Sequence, residues 1–151
     1  MAEGVLRAKL RQAGLHTRVV VDSAGTHGYH AGEAPDPRAI RSAAQRGYEL
    51  AHLRARPVQA EDYTRFDWLL AMDETNLAWL QSRLPAGATP RLGLLMAHAR
   101  RHGDVVEVPD PYYGAAAGFD RVLDLVEDAC DGVVASLAAS LPGEPRGGSP
   151  A

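Results

Sequence analysis

Two short apolar runs, each followed at once by polar loop-forming residues, constrain the fold of this chain more than any other feature. Residues 18–21 are rich in β-branched side chains and precede the set Asp-Ser-Ala-Gly-Thr at 22–26. Residues 66–72 are a second apolar run of strand length, and Asp73 follows it as a candidate helix N-cap. We expect both runs to be strands, the first of them buried. Because helical patterns separate them, the sequence predicts an α/β fold with a mostly parallel sheet.

Helical segments are marked by apolar stripes and by signals at their ends. Asp36 and Pro37 are typical of an N-cap and a first helical residue, and Gly47 closes that helix. The last helix carries an apolar stripe, spaced three or four residues apart, that includes Cys130. The predicted helices span about residues 2–13, 36–46, a segment after Asp73, and 118–141, while residues 91–95 fit either a strand or a helix.

The composition fits one folded domain with a short tail. The chain has 151 residues, of which 46% are hydrophobic and 23% charged, and its formal net charge is −3. This balance excludes a wholly disordered, collagen-like or coiled-coil chain, and it gives no bulk attraction for nucleic acid or for an anionic membrane. The end is rich in Gly and Pro, so we expect a domain over residues 1–141 and a disordered tail over 142–151.

The cysteine count limits the redox and metal chemistry. With Cys130 as its one cysteine, the sequence allows no internal disulfide and no structural zinc site built on several cysteines. The six histidines show no ligand spacing, so we expect no metal and no cofactor. A single thiol, no signal peptide and no span of ~20 apolar residues together predict a cytoplasmic protein. Cys130 lies on an apolar stripe beside acidic residues, which predicts a buried packing thiol.

Residues 108–114, Val-Pro-Asp-Pro-Tyr-Tyr-Gly, form the most unusual motif of the sequence. Taken alone they predict a turn, since Asp and Pro start turns and Gly ends them. Two adjacent tyrosines are less usual in a plain turn. The part of this motif at 110–114, followed by Phe-Asp-Arg-Val-Leu-Asp-Leu-Val at 119–126, resembles the signature of the low-molecular-weight protein tyrosine phosphatases.

Further segments resemble the same family, and they occur in the family's order. The resemblance extends to about residue 139, with matching pieces at 1–5, 21–26, 54–56, 66–67 and 71–77. It implies a three-layer α/β/α sandwich with a parallel sheet in the strand order 2-1-3-4. It also implies a protein-tyrosine-phosphatase that hydrolyses phosphate monoesters through a phosphocysteine intermediate, without a cofactor.

The resemblance also implies a Cys-x5-Arg phosphate loop at the N-terminus of the helix that begins near Met1. There the backbone N–H groups and the helix dipole stabilise both a thiolate and a phosphate, and the arginine holds two phosphate oxygens. The first strand and this loop are not among the 151 residues. We therefore expect an N-terminally incomplete domain that lacks activity as the chain is written.

Four residues match family positions at the substrate. Asp110 matches the general acid, which protonates the leaving oxygen and then acts as base for the attacking water. Tyr112 and Tyr113 match aromatic residues beside the pocket mouth, and Tyr29 matches an aromatic residue of a variable loop that lines the pocket. An aromatic wall suits a phenyl ring. For Tyr29, a packed loop tyrosine is an equally good interpretation.

Three further residues match positions that support the phosphate loop. Ser23 and His52 match residues that hydrogen-bond the loop, although one residue is inserted between His52 and Arg56 relative to the family. Asp73 matches an aspartate near the site, and a helix N-cap explains it equally well.

Two other functions stay open at this point. The chain could be a catalytically inactive relic or phosphate-binding module, because the nucleophile is absent. Arsenate reductases share the fold, but those that relay a disulfide need further cysteines, and Cys130 has no partner thiol in this sequence. The resemblance leaves a phosphotyrosine protein, phosphoarginine and small phosphate esters open as substrates, and we expect no nucleic acid or membrane partner. The oligomeric state stays open.

Overall fold

The computed structural model describes residues 1–28, 31–110 and 116–141. The elements, in chain order, are α1 (Ala2–Gln12), α2 (Pro37–Gln45), α3 (Asp62–Arg65), β1 (Trp68–Ala71), α4 (Glu74–Ser82), β2 (Arg91–Leu94), a 3-10 helix (Leu95–His98) and α5 (Ala116–Ser140). The predicted tail at 142–151 lies outside the described residues.

Helices α2 and α4 begin where the sequence predicts, because side chains at their N-caps bond the first turn. The Asp36 carboxylate accepts a hydrogen bond from the Arg38 N–H at 2.8 Å, and Pro37 is the first helical residue of α2. The Asp73 carboxylate accepts from the Asn76 N–H at 2.7 Å and caps α4. Each cap satisfies a backbone donor that has no partner within its own helix.

The described residues contain a two-stranded parallel sheet. β1 and β2 pair in parallel, with Trp68 opposite Arg91 and Ala71 opposite Leu94. In the segment 91–95, which fits two interpretations, Arg91–Leu94 form a strand and Leu95 begins the 3-10 helix directly after it. The parallel pairing confirms the α/β class of the fold.

The prediction of a buried strand at residues 18–21 is wrong. The segment is not assigned to a strand, and Val20 is 73% exposed. The segment contacts α1 through a hydrogen bond that the Arg7 guanidinium donates to the Val21 carbonyl, at 2.8 Å. A strand needs a neighbour that pairs with its backbone, and β-branched composition alone does not supply one.

The core is organised around α5 and the two faces of β1. Trp68 and Leu70 pack on the main cluster, which is formed largely by buried residues of α5. Ala71, on the opposite face of β1, belongs to a second cluster with Tyr63 and Leu80. Because the two clusters cover both faces of β1, its short sequence is almost wholly apolar. Along the described chain, no helix has the length and apolarity needed to cross a membrane.

Candidate functional site

A cleft of about 500 Å³ lies at the carboxyl end of β1, where ligands bind in open parallel sheets. We call it the Asp110 cleft. It is bordered by Met1 at the start of α1, by Asp36 and Asp73 at the starts of α2 and α4, by Asp110, and by Phe119 of α5. Its lining combines apolar residues with the carboxylates of Asp36, Asp73 and Asp110. The residues that line the cleft are Met1, Ala2, Pro35, Asp36, Ala39, Met72, Asp73, Asn76, Val108, Pro109, Asp110, Phe119, Val122 and Val126.

Three helices begin at the Asp110 cleft, and their N-termini differ in one respect. Asp36 and Asp73 cap α2 and α4 with their own carboxylates. No side chain caps α1, whose N-cap position is Met1. The first N–H groups of a helix attract anions, so α1 presents the N-terminus best suited to bind an added negative group.

Asp110 is exposed and lies at the end of a loop that is fixed to the β1–α4 junction. The Val108 N–H donates to the Met72 carbonyl at 2.8 Å, directly after β1. One residue earlier, the Glu107 carboxylate accepts from the Glu74 N–H, also at 2.8 Å. Sequence reasoning missed Glu107, and the available signal was an acidic residue three positions before the predicted general acid.

Two of the predicted site residues, Asp110 and Asp73, thus meet at one cleft. They come from different parts of the chain, because the loop after the 3-10 helix returns to the carboxyl end of β1. For Asp73 the hydrogen bond to Asn76 shows that the N-cap interpretation holds. Carboxyl groups and a helix N-terminus suited to an anion therefore line the same cleft.

Ser23 lies beside α1 and is not among the residues that line the cleft. Its hydroxyl donates to the Glu3 carboxylate at 2.6 Å. Glu3 is only 7% exposed and also forms an ion pair with Arg7 at 2.8 Å. The structure therefore brings Ser23 to the first turn of the helix that borders the cleft. Sequence reasoning missed Glu3, for which the signal was an acidic residue in the first turn of α1.

Of the remaining predicted residues, the structure describes His52. His52 is exposed in a turn after α2, and it does not line the cleft. Tyr29, Tyr112 and Tyr113 lie outside the described residues, so their predicted contact with substrate stays a prediction.

Cys130 is fully buried on α5, which confirms the prediction of a packing thiol. Burial raises the pKa of this thiol to about 12, with Asp131 and Glu127 adding to the rise and Lys9 opposing it. A thiol with such a pKa is almost entirely protonated at neutral pH and makes a poor nucleophile. Among residues 1–28, 31–110 and 116–141, no cluster of three His, Cys, Asp or Glu side chains could hold a metal ion.

Comparison with known proteins agrees with this geometry. Residues 1–142 match the model of a family described as low molecular weight phosphotyrosine protein phosphatase. A Synechocystis sp. protein, assigned by its name to the low molecular weight protein-tyrosine-phosphatases, is 43% identical over 141 residues, which are 93% of this chain and 88% of the relative. A low molecular weight protein-tyrosine-phosphatase of Streptomyces coelicolor is 40% identical over 146 residues. The match covers 95% of this chain and 88% of that protein.

A solved structure shows the same fold. The crystal structure of a protein tyrosine phosphatase from Entamoeba histolytica superposes with a TM-score of 0.87 at 35% sequence identity. The match covers 91% of this chain and 87% of that one.

Proposed function

This chain belongs to the low molecular weight phosphotyrosine protein phosphatase family, and on that premise we propose that it hydrolyses phosphate monoesters. Phosphotyrosine in proteins and small aryl phosphates are the proposed substrates. One observation carries the proposal: Asp110 borders the same cleft as the N-terminus of α1, the one among α1, α2 and α4 that no side chain caps. Because both line one cleft, we propose that a phosphate bound at this N-terminus has its leaving oxygen next to Asp110.

The proposed reaction has two steps. In the first, a cysteine thiolate forms a bond to phosphorus as the bond from phosphorus to the phenolic oxygen breaks, and the carboxylic acid of Asp110 gives its proton to that oxygen. In the second, water attacks the phosphocysteine while the Asp110 carboxylate takes a proton from the water. Inorganic phosphate leaves and the thiolate is restored.

The nucleophile of this mechanism is not Cys130, which is buried and protonated. We place it in a Cys-x5-Arg loop that leads into α1, preceded by a strand that lies between residues 18–21 and β1. With that partner present, residues 18–21 would pair as an edge strand, which gives a parallel sheet in the order 2-1-3-4 within a three-layer sandwich. Support comes from two features: the exposure of Val20 at 73%, and the pairing of β1, along the described chain, with β2 on one edge only.

The reading frame upstream of the Met1 codon tests this placement. We expect codons for a strand and a Cys-x5-Arg-Ser stretch directly before it. A stop codon in frame before any such stretch contradicts the placement, and it favours an inactive relic or phosphate-binding module.

The other site residues receive roles that remain proposals. Ser23 and His52 support the phosphate loop, and Tyr29, Tyr112 and Tyr113 form an aromatic wall for the phenyl ring of the substrate. We place the enzyme in the cytoplasm, since a catalytic thiolate has to stay reduced.

Turnover of two esters by the full-length protein tests the function. We expect hydrolysis of p-nitrophenyl phosphate and of phenyl phosphate. The leaving oxygen of phenyl phosphate depends more strongly on protonation. Asp110→Asn should slow phenyl phosphate by about 10²–10⁴-fold while leaving KM nearly unchanged. Asp104→Asn, an exposed carboxylate of the same loop, is the matched control. Full turnover of phenyl phosphate by Asp110→Asn contradicts the role of Asp110. Phosphate binding without any turnover by the wild type favours the binding module.

A further inference from the structure

We infer that Glu107 is a positioning residue for Asp110, because it anchors the loop that carries Asp110 to the N-terminus of α4. The inference rests on the proposed function, since it concerns the placement of the general acid. Glu107 lies directly before the sequence motif 108–114 and is not part of it.

Two hydrogen bonds join this loop to the β1–α4 junction at successive residues. The Glu107 carboxylate accepts from the Glu74 N–H at 2.8 Å, and the Val108 N–H donates to the Met72 carbonyl at 2.8 Å. One bond comes from a side chain and the other from the backbone, so they restrain the loop in two different ways. Their partners lie directly before and after Asp73, which borders the Asp110 cleft.

The bond to Glu74 is not duplicated by the cap of α4 itself. Asp73 accepts from Asn76, which leaves the N–H of Glu74, the first residue of the helix, to Glu107. A carboxylate at this end of a helix is favoured by the helix dipole and makes a charge-assisted hydrogen bond. Glu107 therefore fills one donor at the start of α4 that the Asp73 carboxylate does not take.

The short distance along the chain transmits this restraint to Asp110. Only Val108 and Pro109 lie between Glu107 and Asp110. Pro109 has a fixed φ of about −65°, so the segment after the two bonds has little freedom. General acid catalysis requires the carboxyl group within hydrogen-bond reach of the leaving oxygen. A small displacement of the loop is therefore expected to reduce proton donation more than substrate binding.

Leaving-group dependence separates positioning from a merely structural role. In the full-length protein, Glu107→Ala should lower kcat/KM for phenyl phosphate roughly tenfold and for p-nitrophenyl phosphate by about twofold at most. Glu107→Gln keeps an acceptor oxygen and should restore most of the rate. Asp104→Asn should leave both rates unchanged. In the Asp110→Asn background, Glu107→Ala should have no further effect on the ratio of the two rates.

Hydrogen exchange provides a readout that does not depend on turnover. The Val108 amide should exchange faster in Glu107→Ala than in the wild type or in Asp104→Asn. Glu107→Ser, whose side chain is also too short to reach Glu74, replaces the alanine variant if that variant folds poorly.

The outcomes distinguish the two proposals. A wild type inert on both esters overturns the proposed function and this inference with it. An active wild type in which Asp110→Asn loses phenyl phosphate selectively, while Glu107→Ala slows both esters equally or neither, overturns the inference alone.

Discussion

Gly132 of α5 packs directly against the main chain of His98 in the 3-10 helix. A Cβ added at Gly132 would overlap the His98 carbonyl oxygen and would lie 2.8 Å from the carbonyl carbon and 3.2 Å from the His98 Cβ. Two of these three atoms are backbone, so the neighbour cannot give way by a change of rotamer. The 3-10 helix follows β2 without a break, and this contact therefore sets how closely the sheet approaches α5.

Gly132→Ala should destabilise the protein by about 2 kcal/mol. Alanine gains about 1 kcal/mol in helix propensity over glycine, but overlap with backbone in a packed core costs more than that gain. Urea unfolding at equilibrium measures the change. Gly93→Ala in β2, where an added Cβ meets nothing within 4 Å, is the matched control and should change stability by less than about 0.5 kcal/mol. A Gly132→Ala variant as stable as the wild type contradicts the contact.

Asp128 joins α5 to the chain after the 3-10 helix. Its fully buried carboxylate accepts from the N–H groups of Arg100, Arg101 and His102 at 3.0, 3.1 and 2.7 Å, and the His102 Nδ1 lies 3.0 Å away. Burial by itself raises the pKa of this carboxyl group, but the hydrogen bonds outweigh burial and hold the pKa well below its usual range.

Asp128→Asn should cost about 2–3 kcal/mol at about pH 7, because an amide offers one acceptor oxygen where the carboxylate offers two. The folded-state pKa lies below the unfolded value of about 3.9, so ionised Asp128 stabilises the fold above about pH 4. That contribution is lost as the pH falls further. The difference in unfolding free energy between wild type and variant should therefore shrink at about pH 3. A difference that stays constant over this range contradicts the assignment.

Cys130 should resist alkylation in the native protein. With a pKa of about 12, it is a thiolate in roughly one molecule in ten thousand at about pH 8. We expect iodoacetamide to leave the peptide that contains Cys130 unmodified until denaturant is added, as followed by peptide mass. Cys130→Ala should keep turnover of p-nitrophenyl phosphate within about twofold of the wild type. Rapid native alkylation, or loss of turnover in a folded variant, contradicts a packing role.

The parts of the fold that were predictable from sequence are those that local chemistry decides. Asp36, Pro37 and Asp73 begin helices because their side chains act on residues within three positions. The prediction of a strand at residues 18–21 was wrong for the opposite reason, since a strand depends on a partner elsewhere in the chain. Its β-branched residues supply propensity but no pairing.

The same distinction holds at the site. Short motifs include Asp110 and Asp73, so the sequence alone can point to them, whereas the partners of Glu107 and Glu3 lie 33 and 20 residues away in the chain. No pattern in a single sequence specifies such a distant contact. Glu107 bonds the first residue of α4 and Glu3 lies in the first turn of α1, so both missed residues lie at helix N-termini that border the cleft.

Ser23→Ala should lower the unfolding free energy by about 1 kcal/mol, because it removes the hydrogen bond at 2.6 Å to a nearly buried carboxylate. Arg7 still pairs with Glu3 in the variant, so the charge keeps one partner. A double-mutant cycle with Glu3→Ala, which removes the acceptor, measures the coupling, which we expect to be about 1 kcal/mol. Ser82→Ala, which removes a hydroxyl bonded within α4 on the exposed surface, is the matched control and should show no coupling to Glu3. Additive effects of Ser23→Ala and Glu3→Ala would show that Ser23 is not held by Glu3, and that its position beside α1 has another cause.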